Sequence, residues 1–349
     1  MRKGNSKEQS ASAILSQAPC RADLAGATLD LWPLYLFHPG SVTVNFAISV
    51  MTRCRIVPNT DGAFHFKSLD TGREEFFGSF DDLAKAKKYK HPIGAFLTRF
   101  FRPEQGFTME THSESPAGAG IAGSSALMIA TTAALARFTG RKLGKEEIRQ
   151  LAQNVEAQII NVPTGCQDYY PALYGGVSAV HLHEDGIHRK QVNIDPADIE
   201  SRFVIVYTGA PRQSGINNWE VFKAHIDGDT RVVRNFHDIS AIAREMHDAI
   251  SEREWDEVAR LLKQEWKLRK SNYKNISTPL IEKLISAAMK RGGVAAKVCG
   301  AGGGGCVVIM TREGATESVA EALRANGGQV LPFKVERVGV KLSNGKVAQ

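Results

Sequence analysis

Five stretches of this 349-residue chain bring polar side chains or glycines together in patterns that chemistry can use. The first is Pro116-Ala-Gly118-Ala-Gly120-Ile-Ala-Gly123-Ser124-Ser125-Ala126, which runs into an apolar stretch and reads as a glycine loop followed by a helix. Glycines reach backbone torsions closed to other residues, so several N–H groups can converge on one anion, and Ser124 or Ser125 can cap the helix. The unpaired N–H groups and positive dipole end of a helix start attract phosphate, and a serine hydroxyl can reach a phosphate oxygen or its magnesium. A tight loop ahead of a buried helix fits the same residues. In Ala18-Pro-Cys-Arg21-Ala-Asp23-Leu-Ala-Gly26, Arg21 and Asp23 alternate with apolar residues as on a strand, so both point to one face. That pair can face a cleft or form an ordinary surface ion pair.

Asp168, in Gly165-Cys-Gln167-Asp168-Tyr169, stands between a glycine-containing loop and an apolar, aromatic run. A carboxylate there is partly desolvated and its basicity tunable, although the same residue suits a helix N-cap near Pro171. Thr208-Gly-Ala-Pro-Arg212-Gln-Ser214 offers hydroxyls and a guanidinium, a set that fits an anion or sugar hydroxyls. Gly300-Ala-Gly302-Gly303-Gly304-Gly305 precedes an apolar segment. So many glycines cost conformational entropy, which points to close approach of backbone to a ligand or to another backbone, with a glycine-rich turn as the alternative.

The elements that must position these groups are legible from periodicity. Residues 42–51 and 54–57 read as strands, with turn residues at 58–62; 91–101 reads as an amphipathic helix and 106–114 as a strand leading into the glycine loop. The loop's helix is expected to end near Gly140, and a second helix starts at Lys145. A hairpin over 181–191, a strand over 203–207, helices across 229–290 and a strand after Gly305 follow. Strands precede helices without the repeated alternation of a doubly wound parallel sheet, so the class is α+β. Turn chemistry between about 180 and 200 places a domain boundary there.

With 43% apolar residues the chain can bury a large core. Met1–Gln17 is polar with no apolar leader segment, and no run has the ~20 apolar residues of a membrane span, so a cytoplasmic protein without membrane partners is expected. Five scattered cysteines with no Cys-x-x-Cys pair indicate neither a disulfide framework nor a structural zinc site. A net charge of +7 suits anionic partners. The densest basic run, Lys85–His91, is short and lacks a nucleic-acid signature, so it reads as a solvated helix face and no nucleic-acid partner is expected.

No Walker-type Gly-x-x-x-x-Gly-Lys-Ser/Thr is present. Taken together, Ala18-Pro-Cys-Arg21 through Asp30, Pro116 through Ala126, and Lys297-x-x-Gly300-Ala-Gly302-Gly303-Gly304 resemble, in order and spacing, the three motifs of the GHMP kinases. The Gly165–Gly176 segment looks most like that of the D-glycero-D-manno-heptose 7-phosphate kinases within this superfamily; a galactokinase-like sugar 1-kinase, a mevalonate-pathway kinase and a sugar and nucleotide sensor without catalysis are the competing readings. The resemblance implies a ribosomal-S5-like nucleotide-binding domain over residues 1–195 and a ferredoxin-like domain over 196–349. It implies transfer of the γ-phosphate of ATP to a sugar or sugar-phosphate hydroxyl by a monomer or homodimer. Asp168 is then the base and Arg21 its partner at the γ-phosphate; Ser125 and Glu156 are magnesium ligands. Pro116, Gly118, Gly120, Gly123, Ser124, Ser125, Ala126, Gly302, Gly303 and Gly304 would hold the nucleotide, and Asp30, Gly165, Arg212 and Gly300 the substrate.

Overall fold

A computed structural model of the chain describes residues 13–211 and 214–345, and of residues 214–216 the backbone only. Arg212 and most of the polar N-terminal stretch lie outside the described residues. The strands are β1 (Ala13–Ala25), β2 (Ser41–Pro58), β3 (Phe64–Ser68), β4 (Arg73–Phe77), β5 (Phe107–Ser113), β6 (Val177–His183), β7 (Gly186–Val192), β8 (Phe203–Tyr207), β9 (Gly293–Val298), β10 (Cys306–Thr311), β11 (Gln329–Leu331) and β12 (Lys341–Gly345). The helices are α1 (Phe80–Lys85), α2 (Pro92–Phe101), α3 (Gly123–Phe138), α4 (Lys145–Ile160), α5 (Tyr169–Tyr174), α6 (Pro196–Glu200), α7 (Ser214–Ile226), α8 (Thr230–Glu252), α9 (Trp255–Asn272), α10 (Pro279–Met289) and α11 (Thr316–Ala325).

The larger sheet runs β12-β1-β2-β5-β3-β4, with the β6–β7 hairpin attached to the N-terminal half of β2. The two strands expected within 42–57 are one strand, because Thr52 stays in both ladders, opposite Ala18 on one side and Ser113 on the other. Its hydroxyl also donates to the Ala18 carbonyl at 3.2 Å. A continuous β2 pairs with β1 along most of its length, with register shifts at Pro19/Cys20 and Asp23/Ala25, and Arg21 and Asp23 lie in the regular stretch between them. The second sheet, β11-β8-β10-β9, is antiparallel. Together the sheets give the α+β class expected.

Both faces of β8 and β10 are buried, which explains their unbroken apolar runs. Phe203, Ile205, Cys306, Val308 and Met310 pack into the core shared with the larger sheet, while Val204, Val206, Val307 and Ile309 pack with Ile281, Leu284, Val319 and Leu323 of α10 and α11. Helix α3 is buried nearly all round, with Ala126, Ala130, Ala133 and Ala134 allowing close approach to its neighbours. The glycine loop is thereby fixed to a rigid element rather than to a mobile surface helix.

A buried histidine pair ties the N-terminal sheet's loops to α7. His38 Nε2 lies 2.8 Å from His225 Nε2, an arrangement that needs at least one neutral ring. Burial, then the neighbouring His225 and His237, lowers His38 to about 4, and burial lowers His225. A folded-state value below the unfolded ~6.5 contributes stability that is whole above pH ~6.5 and disappears as pH falls toward 4, on the order of 3 kcal/mol for His38. Tm is expected to fall across that window in thermal scans, and less steeply in His38→Asn, which can donate to His225 without titrating. Equal slopes would remove His38 as a cause.

Candidate active site

Gly118 and Gly120 take left-handed torsions at φ 67° and 75°, as the close turns of the loop require, and Ala122 follows at φ 62°. Ala122 occupies the cap position and no side chain caps α3, so the expected capping by Ser124 or Ser125 is not what the serines do. Ser125 Oγ instead donates to Glu156 Oε2 at 2.8 Å, leaving the helix start open toward the cavity it lines. The loop is braced from behind. The Arg21 N–H donates to the Ile121 carbonyl at 2.9 Å, and the Cys306 N–H donates to the Ala119 carbonyl at 2.6 Å.

That cavity has a volume of about 490 Å³, the size of a small-ligand site. Arg21, Asp30, Glu156, Gly165, Asp168 and Gly300 line it, with Pro116, Gly118, Gly120, Gly123, Ser124 and Ser125 along one wall. Asp168 stands at the start of α5 but makes no cap bond. Its Oδ1 accepts from Arg21 Nε at 2.9 Å and Nη2 at 2.7 Å. Arg21 also donates from Nη1 to the carbonyls of Gly120 and Cys299. Burial alone would lower the guanidinium's proton affinity; the neighbouring Asp168 and then Asp23 carboxylates more than reverse this, so Arg21 is held charged.

Asp30 is buried and accepts from the Gln167 N–H at 2.9 Å. Gly165 packs directly on it: a Cβ there would sit 2.1 Å from Asp30 Oδ2, which no side chain allows. Burial and then the charge on Asp168 raise Asp30 to about 6. Glu156 is also raised, by burial against the hydroxyls that bind it; Tyr169 OH donates to Oε2 at 2.6 Å. Among the described residues, the side-chain hydrogen bonds to this buried carboxylate come from the hydroxyls of Ser125 and Tyr169, and it forms no salt bridge.

Ala126 lies beneath the loop, fully buried, and Gly302, Gly303 and Gly304 are not among the lining residues. A Cβ on Gly302 or Gly304 would come within 2.3 and 2.7 Å of the Ile276 and Ala210 carbonyls, so these glycines serve backbone packing here. Arg212 lies outside the described residues. Among the lining groups not singled out from sequence are Arg269, Thr28, Asn218 and His91. Arg269 belongs to a buried chain of charges, with Glu265 at 2.7 Å, Lys297 to Glu265 at 3.2 Å, and Lys297 to Asp23. Its spacing from Glu265 is that of any solvated helical ion pair, so sequence carries no signal of burial. His91 was read as part of a solvated basic run. Its Nδ1 accepts from the Gly94 N–H and caps α2, a start that Pro92 at the first helical position did announce.

Among the described residues no group of three or more His, Cys, Asp or Glu is placed to hold a metal ion, and no helix is long and apolar enough to cross a membrane. The family description "GHMP kinases N terminal domain" matches residues 86–176, and "GHMP kinases C terminal" matches residues 246–329. The chain is 27% identical over 342 residues to a D-glycero-alpha-D-manno-heptose 7-phosphate kinase of Campylobacter jejuni, covering 94% of this chain and 98% of that protein. It is 25% identical to a mevalonate kinase of Thermococcus sibiricus, covering 95% and 98%. In fold it resembles the Lactococcus lactis galactokinase solved with galactose, at TM-score 0.77 and 18% identity over 97% of this chain and 96% of that one. With both halves of the family matched in order on a shared fold, the chain belongs to the GHMP kinases.

Proposed function

We propose that this GHMP kinase transfers the γ-phosphate of ATP to a hydroxyl of a sugar or sugar phosphate, with D-glycero-D-manno-heptose 7-phosphate as the first candidate and the 1,7-bisphosphate as its product. The observation that carries the reading is the Arg21–Asp168 ion pair facing the open helix start of the glycine loop across a single cavity. The heptose 7-phosphate kinase relative, aligned over nearly its whole length, supports the choice of substrate.

Phosphoryl transfer asks a protein chiefly for positioning and charge neutralisation. The loop's N–H groups between Gly118 and Ser125 would hold the phosphates at the helix start. Asp168 would accept the proton of the attacking sugar hydroxyl as its oxygen bonds to the γ-phosphorus and the bond to ADP breaks. Arg21, fixed by two backbone carbonyls, would keep that carboxylate in place and offset charge on the phosphoryl group. Asp30, set by Gly165 and Gln167, would accept from another sugar hydroxyl; Arg212 would meet a phosphate on the sugar. Ser125 and Glu156 would hold magnesium, since a buried carboxylate beside a hydroxyl supplies two hard oxygens; when bound, the ion would offset phosphate charge. The cytoplasm is the compartment we infer, in keeping with five buried cysteines that form no disulfide among the described residues.

The reading is tested by ADP release with magnesium ATP across heptose 7-phosphate, heptose, galactose, fucose and mevalonate. Turnover of mevalonate alone would remove the sugar assignment. If Asp30 accepts from the sugar, kcat/KM for sugar should fall as pH drops through about 6, where its carboxylate takes up a proton. That acid limb should be absent from Asp30→Asn at its lower, flat rate. An unchanged limb in the variant would reassign it.

A further inference from the structure

Thr28 is a cavity-lining, β-branched residue held at φ 77°, in the left-handed region that such side chains rarely enter. Nothing in the local sequence demands this; two anchors from distant helices hold it there. Arg269 Nη2 donates to the Ala27 carbonyl at 2.7 Å and Nη1 to Thr28 Oγ1 at 3.3 Å, while Thr28 Oγ1 donates to Asn218 Oδ1 at 3.4 Å. Arg269 is itself fixed by Glu265, which Lys297 links to Asp23 on β1. Gly26 seals the other end of the loop, where a Cβ would lie 2.1 Å from the Val42 carbonyl. A strained, over-determined residue inside a site is where structures keep side chains that function requires.

We propose that Thr28 is a specificity-determining residue whose hydroxyl, aimed by Arg269, hydrogen-bonds one hydroxyl of the sugar. The proposal rests on the sugar-kinase reading above and deepens it. A threonine oxygen has two acceptor positions, and Arg269 takes one of them. The other remains for a sugar O–H, and the long Asn218 contact is readily exchanged for a donation to the sugar. Arg269 acts here as a positioning residue: its charge polarises the hydroxyl and its backbone bond to Ala27 sets the turn that also delivers Asp30.

The test is steady-state kinetics of Thr28→Val, Thr28→Ser and Thr28→Gly with the sugar that the wild type turns over best. Thr28→Val keeps the shape and loses the hydroxyl, so KM for sugar should rise about 3- to 10-fold, with kcat and KM for ATP within about twofold. Thr28→Ser should retain the wild-type KM. Thr28→Gly should raise KM as Val does without lowering Tm, because glycine adopts this torsion freely. Among singly deoxygenated sugars, one should be penalised by the wild type and not by Thr28→Val. Wild-type KM in Thr28→Val, or equal losses on the ATP side, would overturn the proposal while leaving the kinase reading intact. No ADP release by the wild type with any sugar would instead remove the sugar-kinase reading, and this proposal with it.

Discussion

Replacing Asp168 by Asn is expected to lower kcat at least ~100-fold while ATP binding stays near wild type, measured by calorimetry beside a coupled ADP assay. Asn has the carboxylate's shape and can still accept from Arg21, whose Nη1 remains tied to Gly120 and Cys299, so the glycine loop keeps its brace. What it cannot do is take up a proton as the sugar oxygen attacks phosphorus. Substrate positioning survives, and the loss falls on kcat. Retention of more than about a tenth of the wild-type kcat would show that the proton leaves by another route, with Asp168 serving geometry alone.

The largest effect on stability should come from Lys297→Met. Lys297, Asp23 and Glu265 are all buried, and Lys297 bridges the two carboxylates. Among the described residues Asp23 Oδ1 and Glu265 Oε2 have no hydrogen-bond partner, and since Glu265 keeps Arg269, the charge left without its ion-pair partner is that of Asp23. Removing one partner of a buried ion pair leaves an uncompensated charge, at a cost of about 3–5 kcal/mol. Urea unfolding should show this loss. The double variant Asp23→Asn, Lys297→Met should recover part of it, because the orphaned charge is then gone. Strict additivity in that cycle would mean that the two side chains do not interact.

These two cases show what a linear sequence discloses. Gly118 and Gly120 were readable because a left-handed torsion has a chemical signature in residue type, and Arg21 because strand alternation set its face. For Asp168 the sequence offered two readings, a partly desolvated carboxylate or an N-cap; the structure shows no cap bond and an ion pair with Arg21, which arrives from 147 residues away. Glu265 and Arg269 were not readable, since four-residue spacing on a charged helix looks the same whether it faces water or the core. Thr28 was hidden for a related reason: its torsion is imposed by α9, not by its own sequence. The glycine run suggested close approach, and Gly302 and Gly304 lie against backbone carbonyls while Gly303 lies against the Asn217 side chain.

The pairing of β12 with β1, from Ala13 opposite Gly345 to Gln17 opposite Lys341, has a consequence for how the enzyme is made. The strand that carries Arg21 leaves the ribosome more than 300 residues ahead of β12, yet its outer edge over residues 13–17 gains its partner only once residue 345 has emerged. Throughout synthesis the nascent chain therefore exposes an unsatisfied β-edge of the kind that recruits other chains. Folding yield should accordingly depend on how quickly translation passes from β1 to β12, a demand set by topology and independent of the chemistry the site performs.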